Sequence, residues 1–275
     1  MQMRLKDGKR KVLTFSYDDG NAPDIRLVGI FNKYGLKGTF NINSGLLIDS
    51  DEVRENPEGK LTKGEVVKYF TDSQHEVAVH TLTHPWLKSL RDEEIIYEIV
   101  QDRINIEKIT GKFTRGMAYP FNCFTNEQKN LLKSCGIVYS RTTDATHRFD
   151  FPSDWLYLEP TCHHNDEKLF EMAEEFAECE PKWGVCRMFY VWGHTYEFDN
   201  DNNWDRIKKL AEYLSYRDDI WYATNIEIYD YVKAYDSLVT SYNGKIIHNP
   251  SATDVWVSVF GKTLKIEAGK TVKLV

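Results

Sequence analysis

The sequence lacks the features that mark several common classes of protein. No stretch approaches the roughly 18 consecutive apolar residues that a membrane-spanning helix requires. There is no basic cluster and the formal net charge is −7, so we expect neither nucleic acid nor an anionic membrane as the main partner. The five cysteines are an odd number without C-x-x-C spacing. This count and spacing give no disulfide framework and no cysteine-type zinc site.

The N-terminal segment also lacks an apolar run. Residues 1–10 are polar and basic and do not contain the hydrophobic segment of a signal peptide. We therefore expect a cytoplasmic protein whose thiols are free, or an extracellular one if a leader has been removed.

The composition is that of a globular protein with a substantial core. Hydrophobic residues make up 41% and charged residues 28% of the 275 positions, close to globular averages. Short β-rich segments alternate with amphipathic segments about seven times up to residue 237, which predicts a parallel sheet with crossover helices. Polar residues recur where these strands end. That position favours an incomplete barrel over an open sheet.

The pattern changes near residue 238. From there to residue 275 the chain has no helical period and reads as short strands separated by turns, such as the one at Asn243 and Gly244. We therefore expect two parts, a catalytic domain over residues 1–237 and a small β appendage over residues 238–275.

Two polar segments follow predicted strands. Asp18 and Asp19 close an apolar run that starts at Val12, and His80 and His84 close another. One carboxylate and two imidazoles suit a catalytic zinc, which takes three protein ligands and keeps one position open. The remaining carboxylate is then available as a base. His194 ends an aromatic strand and is a candidate general acid, because the pKa of histidine lies near neutral pH.

These segments resemble those of the polysaccharide deacetylases of the NodB-homology type, carbohydrate esterase family 4. That family carries T-F-D-D-G, H-[ST]-x-x-H, R-x-x-P-Y, D-x-x-D-W and L-x-L-x-H segments in this order. The corresponding segments here are Ser16-Tyr17-Asp18-Asp19-Gly20, His80-Thr81-Leu82-Thr83-His84, Pro120-Phe121, Asp154-Trp155 and Tyr190-Val191-Trp192-Gly193-His194. The resemblance covers roughly residues 10–235.

The resemblance implies a fold, an activity and a set of site residues. The fold is an irregular (β/α)7 barrel, and the activity is removal of N- or O-acetyl groups from glycans by a metal-activated water. Asp18 is implied as the base, His194 as the acid, and Asp19, His80 and His84 as the ligands of a divalent metal. Zinc is the expected metal, with cobalt or nickel as alternatives. The implied substrate or oxyanion contacts are Tyr119, Pro120, Phe121, Trp155, Trp192 and His163, supported by Arg115 and Asp154.

The chain departs from the family pattern at several of these positions. Arg115 lies five residues before Pro120 instead of three, so Arg141 is a second candidate for steering the base. Phe121 replaces a tyrosine, which removes a hydroxyl but keeps the backbone donor. Tyr190 and Trp192 stand where the family has leucines. These changes indicate a reshaped acetyl pocket and a divergent branch.

Three functions remain open at this point. The first is a metal-dependent glycan deacetylase acting on an acetylated oligosaccharide or polysaccharide. The second is a hydrolase of a small non-sugar amide, such as a cyclic one, on the same fold. The third is a catalytically silent sugar-binding module, which the presence of all five residues of the predicted metal and acid–base set argues against.

Overall fold

A computed structural model describes residues 1–181 and 184–274. In chain order the strands are β1 (Gln2–Arg4), β2 (Lys11–Asp18), β3 (Thr39–Ile42), β4 (Glu76–Val79), β5 (Gly116–Ala118), β6 (Tyr139–Arg141), β7 (Cys162–His163), β8 (Arg187–Gly193), β9 (Ile220–Tyr222), β10 (Val239–Thr240), β11 (Ile246–His248), β12 (Val255–Val259), β13 (Lys262–Ile266) and β14 (Thr271–Lys273). The helices are α1 (Asp24–Lys33), α2 (Lys63–Phe70), α3 (Asp92–Thr110), α4 (Asn126–Ser134), α5 (Leu169–Glu178), α6 (Thr195–Asn200), α7 (Trp204–Leu214) and α8 (Asn225–Asp236).

The main sheet is parallel and is centred on β2. The strand order is β6-β5-β4-β3-β2-β8-β7, and β9 pairs with the first half of β2. All eight residues of β2 are buried, as expected for a strand covered on both faces. The segment 158–163 links the two edges of the sheet. Leu158 bridges to Arg141 of β6 at one edge, and Cys162 of β7, at the other edge, pairs with Val191 of β8. The sheet is therefore curled, and the predicted irregular (β/α)7 barrel is confirmed.

Several crossover helices begin or end at residues whose capping chemistry or backbone conformation explains the boundary. Thr62, Thr125 and Thr224 each cap a helix, with Glu or Gln three residues later completing a capping box. Helix α3 ends at Gly111, whose φ of 68° is in the left-handed region.

Some elements differ from the prediction. Residues Trp155–Tyr157 form a 3-10 turn. Helix α6 and the two-residue strand β7 were not predicted, because neither is long enough to show a hydrophobic period. No helix within residues 1–181 and 184–274 is both long and apolar enough to span a membrane.

The C-terminal strands form two small antiparallel sheets, ordered β1-β12-β13 and β10-β11-β14. Strand β1, from the other end of the chain, pairs with β12 over Gln2–Arg4. The hydroxyl of Tyr231 in α8 donates to the carbonyl of Arg4 and accepts from the backbone N–H of Trp256. The C-terminal strands therefore pack on α8, and one of their two sheets also contains β1, which precedes β2 in the chain. The division at residue 237 stays a prediction.

Candidate active site

The polar residues at the C-terminal ends of the strands surround one cavity of about 650 Å³. Asp18 ends β2, His80 follows β4, Tyr119 follows β5 and His194 follows β8, and all four residues line the cavity. Parallel strands that start at the same edge also end at the same edge, so the barrel brings together residues that are far apart in the sequence. The volume of the cavity is in the range typical of small-molecule sites, about 300–1,000 Å³.

Asp19, His80 and His84 converge within this cavity. Asp19 Oδ1 lies 3.5 Å from His84 Nε2 and 3.9 Å from His80 Nε2, and the three ligand atoms all lie within 4.8 Å of one another. The backbone φ of Asp19 is 80° and that of His84 is 59°. Such left-handed values are uncommon for residues other than glycine and concentrate at functional sites. At Asp19 the turn brings two consecutive carboxylates into one cavity.

The imidazole of His80 is fixed from outside the cavity. Its Nδ1 lies 2.8 Å from the carbonyl oxygen of Ala118, so Nδ1 carries the proton and Nε2 presents its lone pair to Asp19. Its backbone N–H donates to Asp102 Oδ2 at 3.0 Å. Burial lowers the pKa of His80 to about 4, despite the opposing charges of Asp18 and Asp19. The ring is therefore neutral at physiological pH and able to bind a metal.

Asp18 lies beside this group and is held ionised. Burial alone would raise the pKa of its carboxyl, but the Arg141 guanidinium, the two nearby histidines and an amide hydrogen bond lower it to about 2. Arg141 donates to Asp18 Oδ2, and Asn41 Nδ2 donates to Asp18 Oδ1 at 2.8 Å. Arg141 is itself fully buried and its guanidinium lies 4.5 Å from the ring centre of Trp192.

His194 lies across the cavity from the metal-ligand candidates. Its Nε2 is 3.9 Å from Asp18 Oδ2, and its Nδ1 is 3.2 Å from Glu197 Oε1. Burial lowers the pKa of His194, but the hydrogen bond that it donates to Glu197 and the charge of Asp18 outweigh burial, so the net shift is upward. A protonated His194 presents its Nε2–H to the cavity, which is the state that a general acid requires.

Glu197 connects His194 to two further histidines. Its Oε2 lies 3.0 Å from His163 Nε2 and 3.2 Å from His164 Nε2, and it also accepts from the backbone N–H of His194 at 3.1 Å. Burial raises the pKa of Glu197, but these donors together hold it well below its usual range. Glu197 therefore remains a carboxylate that orients His194. His163 is therefore linked to His194 through Glu197, which contacts both imidazoles.

The substrate-contact candidates from the sequence divide into two groups. Tyr119, Phe121 and Trp192 line the cavity, although the ring of Tyr119 stacks on Phe124 and its hydroxyl donates to the Leu156 carbonyl oxygen. Pro120 is buried in the 3-10 turn that carries Phe121. Trp155 lies elsewhere, because its ring packs edge-on against Tyr229 of α8 at 5.2 Å.

The two supporting candidates also lie outside the cavity. Arg115 precedes β5, at the opposite end of the sheet, and pairs with Asp230 at 2.6 Å. Asp154 accepts from the backbone N–H of Leu156 and pairs with Lys129, both at 2.9 Å. Their roles beside the base are therefore not supported, and Arg141 occupies the position expected of Arg115.

Sequence reasoning missed several residues at the site. Glu197 is the main one. Its signal was the spacing of three residues from His194, which forms a capping box at the start of α6. Lys60 was also missed: its Nζ donates to the carbonyl oxygen of Asp19 at 2.6 Å, and nothing in its neighbourhood along the chain indicates this contact.

Comparison with known proteins gives a family model and a set of similar structures. Residues 5–140 match the family model described as polysaccharide deacetylase. No curated protein sequence matches the chain significantly.

Three of the similar solved structures are as follows. A putative polysaccharide deacetylase from Mycobacterium smegmatis has a TM-score of 0.61 at 16% identity, over 86% of this chain and 95% of that chain. The peptidoglycan deacetylase PdaC from Bacillus subtilis, as its D285S mutant, has a TM-score of 0.52 at 17% identity, over 83% and 94%. A mutant of BA3943, a carbohydrate esterase family 4 pseudoenzyme from Bacillus anthracis with restored enzymatic activity, has a TM-score of 0.50 at 17% identity, over 80% and 67%.

At these identities the similar structures support the fold alone, and one of them comes from a natural pseudoenzyme. The family model and the fold agree with the resemblance seen in the motifs, which is thereby confirmed. Residues 5–140 of this chain belong to the polysaccharide deacetylase family.

Proposed function

We propose that this protein is a metal-dependent hydrolase that removes acetyl groups from a carbohydrate. The observation that carries the proposal is the convergence of Asp19, His80 and His84 in the same cavity as Asp18 and His194. The fold alone is insufficient evidence for this activity, since function depends on the residues of the site.

The three ligand candidates fit a divalent cation. Two donors that each lie about 2.1 Å from a tetrahedral zinc ion are roughly 3.4 Å apart; the carboxylate–imidazole separations here are 3.5 and 3.9 Å. One oxygen and two imidazole nitrogens are a donor set that suits zinc, with cobalt or nickel as alternatives. When bound, such an ion lowers the pKa of water and polarises the acetyl carbonyl.

The residues of the chain supply the proton transfers. Asp18, kept ionised by Arg141, takes a proton from the water that attacks the acetyl carbonyl carbon. The backbone N–H of Phe121 is proposed to donate to the oxyanion of the tetrahedral intermediate. His194, kept protonated and oriented by Glu197, gives its proton to the leaving nitrogen or oxygen. The products are acetate and the free amino or hydroxyl group.

A screen of metal-loaded protein for acetate release tests this proposal. The substrates are N-acetylated chito-oligosaccharides, peptidoglycan fragments and acetylated xylan, with cyclic ureides tested for ring opening as the small-amide alternative. The Asp18→Asn variant should lose turnover and keep its metal, because Asp18 is not among the three ligand candidates. Absence of hydrolysis of every substrate by protein with a full complement of metal would refute the proposal and favour a silent binding module.

A further inference from the structure

A second group of side chains that can bind a metal lies beside the active-site cavity. His163, His164 and Glu197 each offer one ligand atom, and these three atoms all lie within 4.8 Å of one another. We refer to these residues as the histidine–glutamate cluster. None of the three lines the active-site cavity, and none belongs to the segments that carry the family resemblance. The cluster is therefore a feature of this chain that the proposed reaction does not require as a metal site.

His164 is buried while its ring nitrogens lack proper partners. The residue is 1% exposed, and its Nδ1 has no hydrogen-bond partner among the residues that the structure describes. Its Nε2 lies 3.2 Å from Glu197 Oε2, but the contact is too bent for a hydrogen bond. Buried polar groups in folded proteins normally have a partner, and an unpaired one needs an explanation. An ion bound at Nε2 provides one.

The neighbours of His164 hold its ring in this position. The ring stacks on Phe198 with centroids 4.1 Å apart, and on Tyr17 with centroids 5.7 Å apart. A Cβ atom at Gly193 would collide with His164 Nδ1, so the ring occupies space that only a glycine at position 193 leaves open. Burial lowers the pKa of His164 to about 4. The ring is therefore neutral at physiological pH, as a metal ligand must be.

The distances within the cluster suit donors that share one ion. Glu197 Oε2 lies 3.0 Å from His163 Nε2 and 3.2 Å from His164 Nε2, and two donors about 2.1 Å from a tetrahedral zinc ion are roughly 3.4 Å apart. Donors that share an ion point at the ion and not at each other, which accounts for the bent contact of His164. The other oxygen of Glu197 lies 3.2 Å from His194 Nδ1. One carboxylate can therefore contact the ion and the acid together.

Two hydrogen bonds compete with an ion at this position. The Asn165 N–H donates to His163 Nδ1 at 3.2 Å, so Nε2 carries the ring proton and must lose it before it can bind a metal. Glu197 Oε2 also accepts from the His194 backbone N–H at 3.1 Å. Loss of each bond weakens metal binding by about 10- to 100-fold. Because Nε2 of His80 needs no such change, we expect the cluster to bind about a thousandfold more weakly than the cavity site.

We propose that His163, His164 and Glu197 form a second, weaker binding site for a divalent transition-metal ion such as zinc. Two imidazole nitrogens and one carboxylate oxygen suit this class of ion, whereas calcium and magnesium take oxygen ligands. The site fills only when the metal is well in excess of what the cavity site needs. The ion draws Glu197 Oε2 away from the His194 backbone N–H, which disturbs the position of the acid. Excess metal should therefore lower turnover.

Titration of chelator-treated full-length protein with zinc tests the second site. Calorimetry measures the number and affinity of the ions bound, and NMR follows the backbone amide of Asn165 over the same range of zinc concentrations. The parent should bind two ions in two steps whose Kd values differ by about a thousandfold. The Asn165 amide should shift during the weak step alone, because that step breaks its bond to His163 Nδ1. His84→Ala should lose the tight step and keep the weak one.

Variants of the cluster locate the weak step. His163→Ala should lose the weak step and keep the tight one. Glu197→Gln should do the same, and it retains the capping box of α6, so it provides the test if His163→Ala folds poorly. His147→Ala is the matched control, since His147 is a histidine outside the cluster that pairs with Asp166 at 2.7 Å. It should keep both steps.

Three results would overturn the second site. The first is a parent chain that binds a single ion however much zinc is added. The second is a weak step that survives in both His163→Ala and Glu197→Gln. The third is weak binding that leaves the Asn165 amide resonance in place, which would show an adventitious ion only, on side chains elsewhere on the surface.

Acetate release over the same range of zinc concentrations tests the effect on His194. Turnover by the parent should fall as the weak step fills, and His163→Ala should lose this inhibition by excess zinc. Turnover that is unchanged when the weak step is full would overturn the effect on the acid. Absence of acetate release at every zinc concentration would refute the proposed function, whereas the titration decides on the second site by itself.

Discussion

Arg141 and Asp18 form a buried ion pair across the interior of the curled sheet. Arg141 ends β6 and Asp18 ends β2, with three strands between them in the sheet order. Their side chains are 0% and 3% exposed. A buried pair of this kind is costly to break, because the remaining charge loses both its partner and its contact with water.

Replacing Arg141 with methionine should therefore lower both stability and activity. Removing one partner of a buried pair costs about 3–5 kcal/mol, and loss of the contact that orients Asp18 should lower kcat by about 100-fold. Urea denaturation and acetate-release kinetics measure the two effects. Arg115→Met is the matched control, since Arg115 pairs with Asp230 at the partly exposed opposite end of the sheet. The assignment fails if Arg115→Met proves the more damaging of the two.

The choice between these two arginines shows what the sequence alone could and could not provide. Order along the chain drew attention to Arg115, which precedes Pro120 as in the family pattern, although by five residues instead of three. The fold decides otherwise, since Arg115 lies directly before β5 and Arg141 is the last residue of β6. Only the direction and register of the strands distinguish the two, and these are tertiary properties.

The fold itself was largely predictable because its signals are local. Buried strands, capping boxes and the glycine at the end of α3 all lie within a few residues of the elements that they specify. Strand β1 was not predictable in this way, since its partner β12 lies about 250 residues further along the chain. The left-handed backbone of Asp19 and His84 was also out of reach, because neither residue type requires a positive φ.

A metal ion should stabilise the protein through His84. A ligand at 100 times its Kd adds about 2.7 kcal/mol to the free energy of unfolding, which corresponds to a rise in Tm of roughly 5–10 °C for a domain of this size. Differential scanning fluorimetry with and without zinc, after treatment with a chelator, measures this shift. His84→Ala should abolish it, and His248→Ala, in the appendage, should retain it. A full shift in the His84→Ala variant would contradict the ligand assignment.

Glu197 should set the pH range of activity through His194. The carboxylate raises the pKa of His194, so Glu197→Gln should lower that pKa by about one unit, the lower end of the effect of an adjacent opposite charge. His194 must be protonated to act as an acid, and the alkaline limb of the kcat/KM profile should therefore move to lower pH. Glutamine can still complete the capping box of α6, so the variant is expected to fold.

The pH profile of kcat/KM on an aryl acetate and on an acetylated oligosaccharide provides the measurement for Glu197. Glu212→Gln, a change on the exposed face of α7, should leave both profiles in place. If Glu197→Gln lowers activity equally at all pH values, Glu197 has a structural role and does not tune the acid.

Asp24 should make the metal-free protein less stable as the pH rises. It is fully buried at the start of α1, and its Oδ1 accepts from the Thr195 hydroxyl at 2.6 Å. Burial raises its pKa to about 8 in the folded protein. The unfolded chain releases this proton near pH 4, so between roughly pH 4 and 8 the folded state binds the extra proton. Its contribution to the free energy of unfolding therefore falls with pH, by at most about 1.4 kcal/mol per unit.

Asp24→Asn removes this titration and keeps an acceptor for Thr195. Relative to the parent, the variant should gain stability steadily from pH 5.5 to pH 7.5 in urea denaturation of chelator-treated protein. Asp49→Asn is the control, because Lys63 lowers the pKa of the exposed Asp49 and its titration is complete below this range. A stability difference between Asp24→Asn and the parent that does not change with pH would show that Asp24 is already ionised in the folded protein. Its buried charge would then have to be compensated by Lys60, whose positive charge lowers the pKa of Asp24.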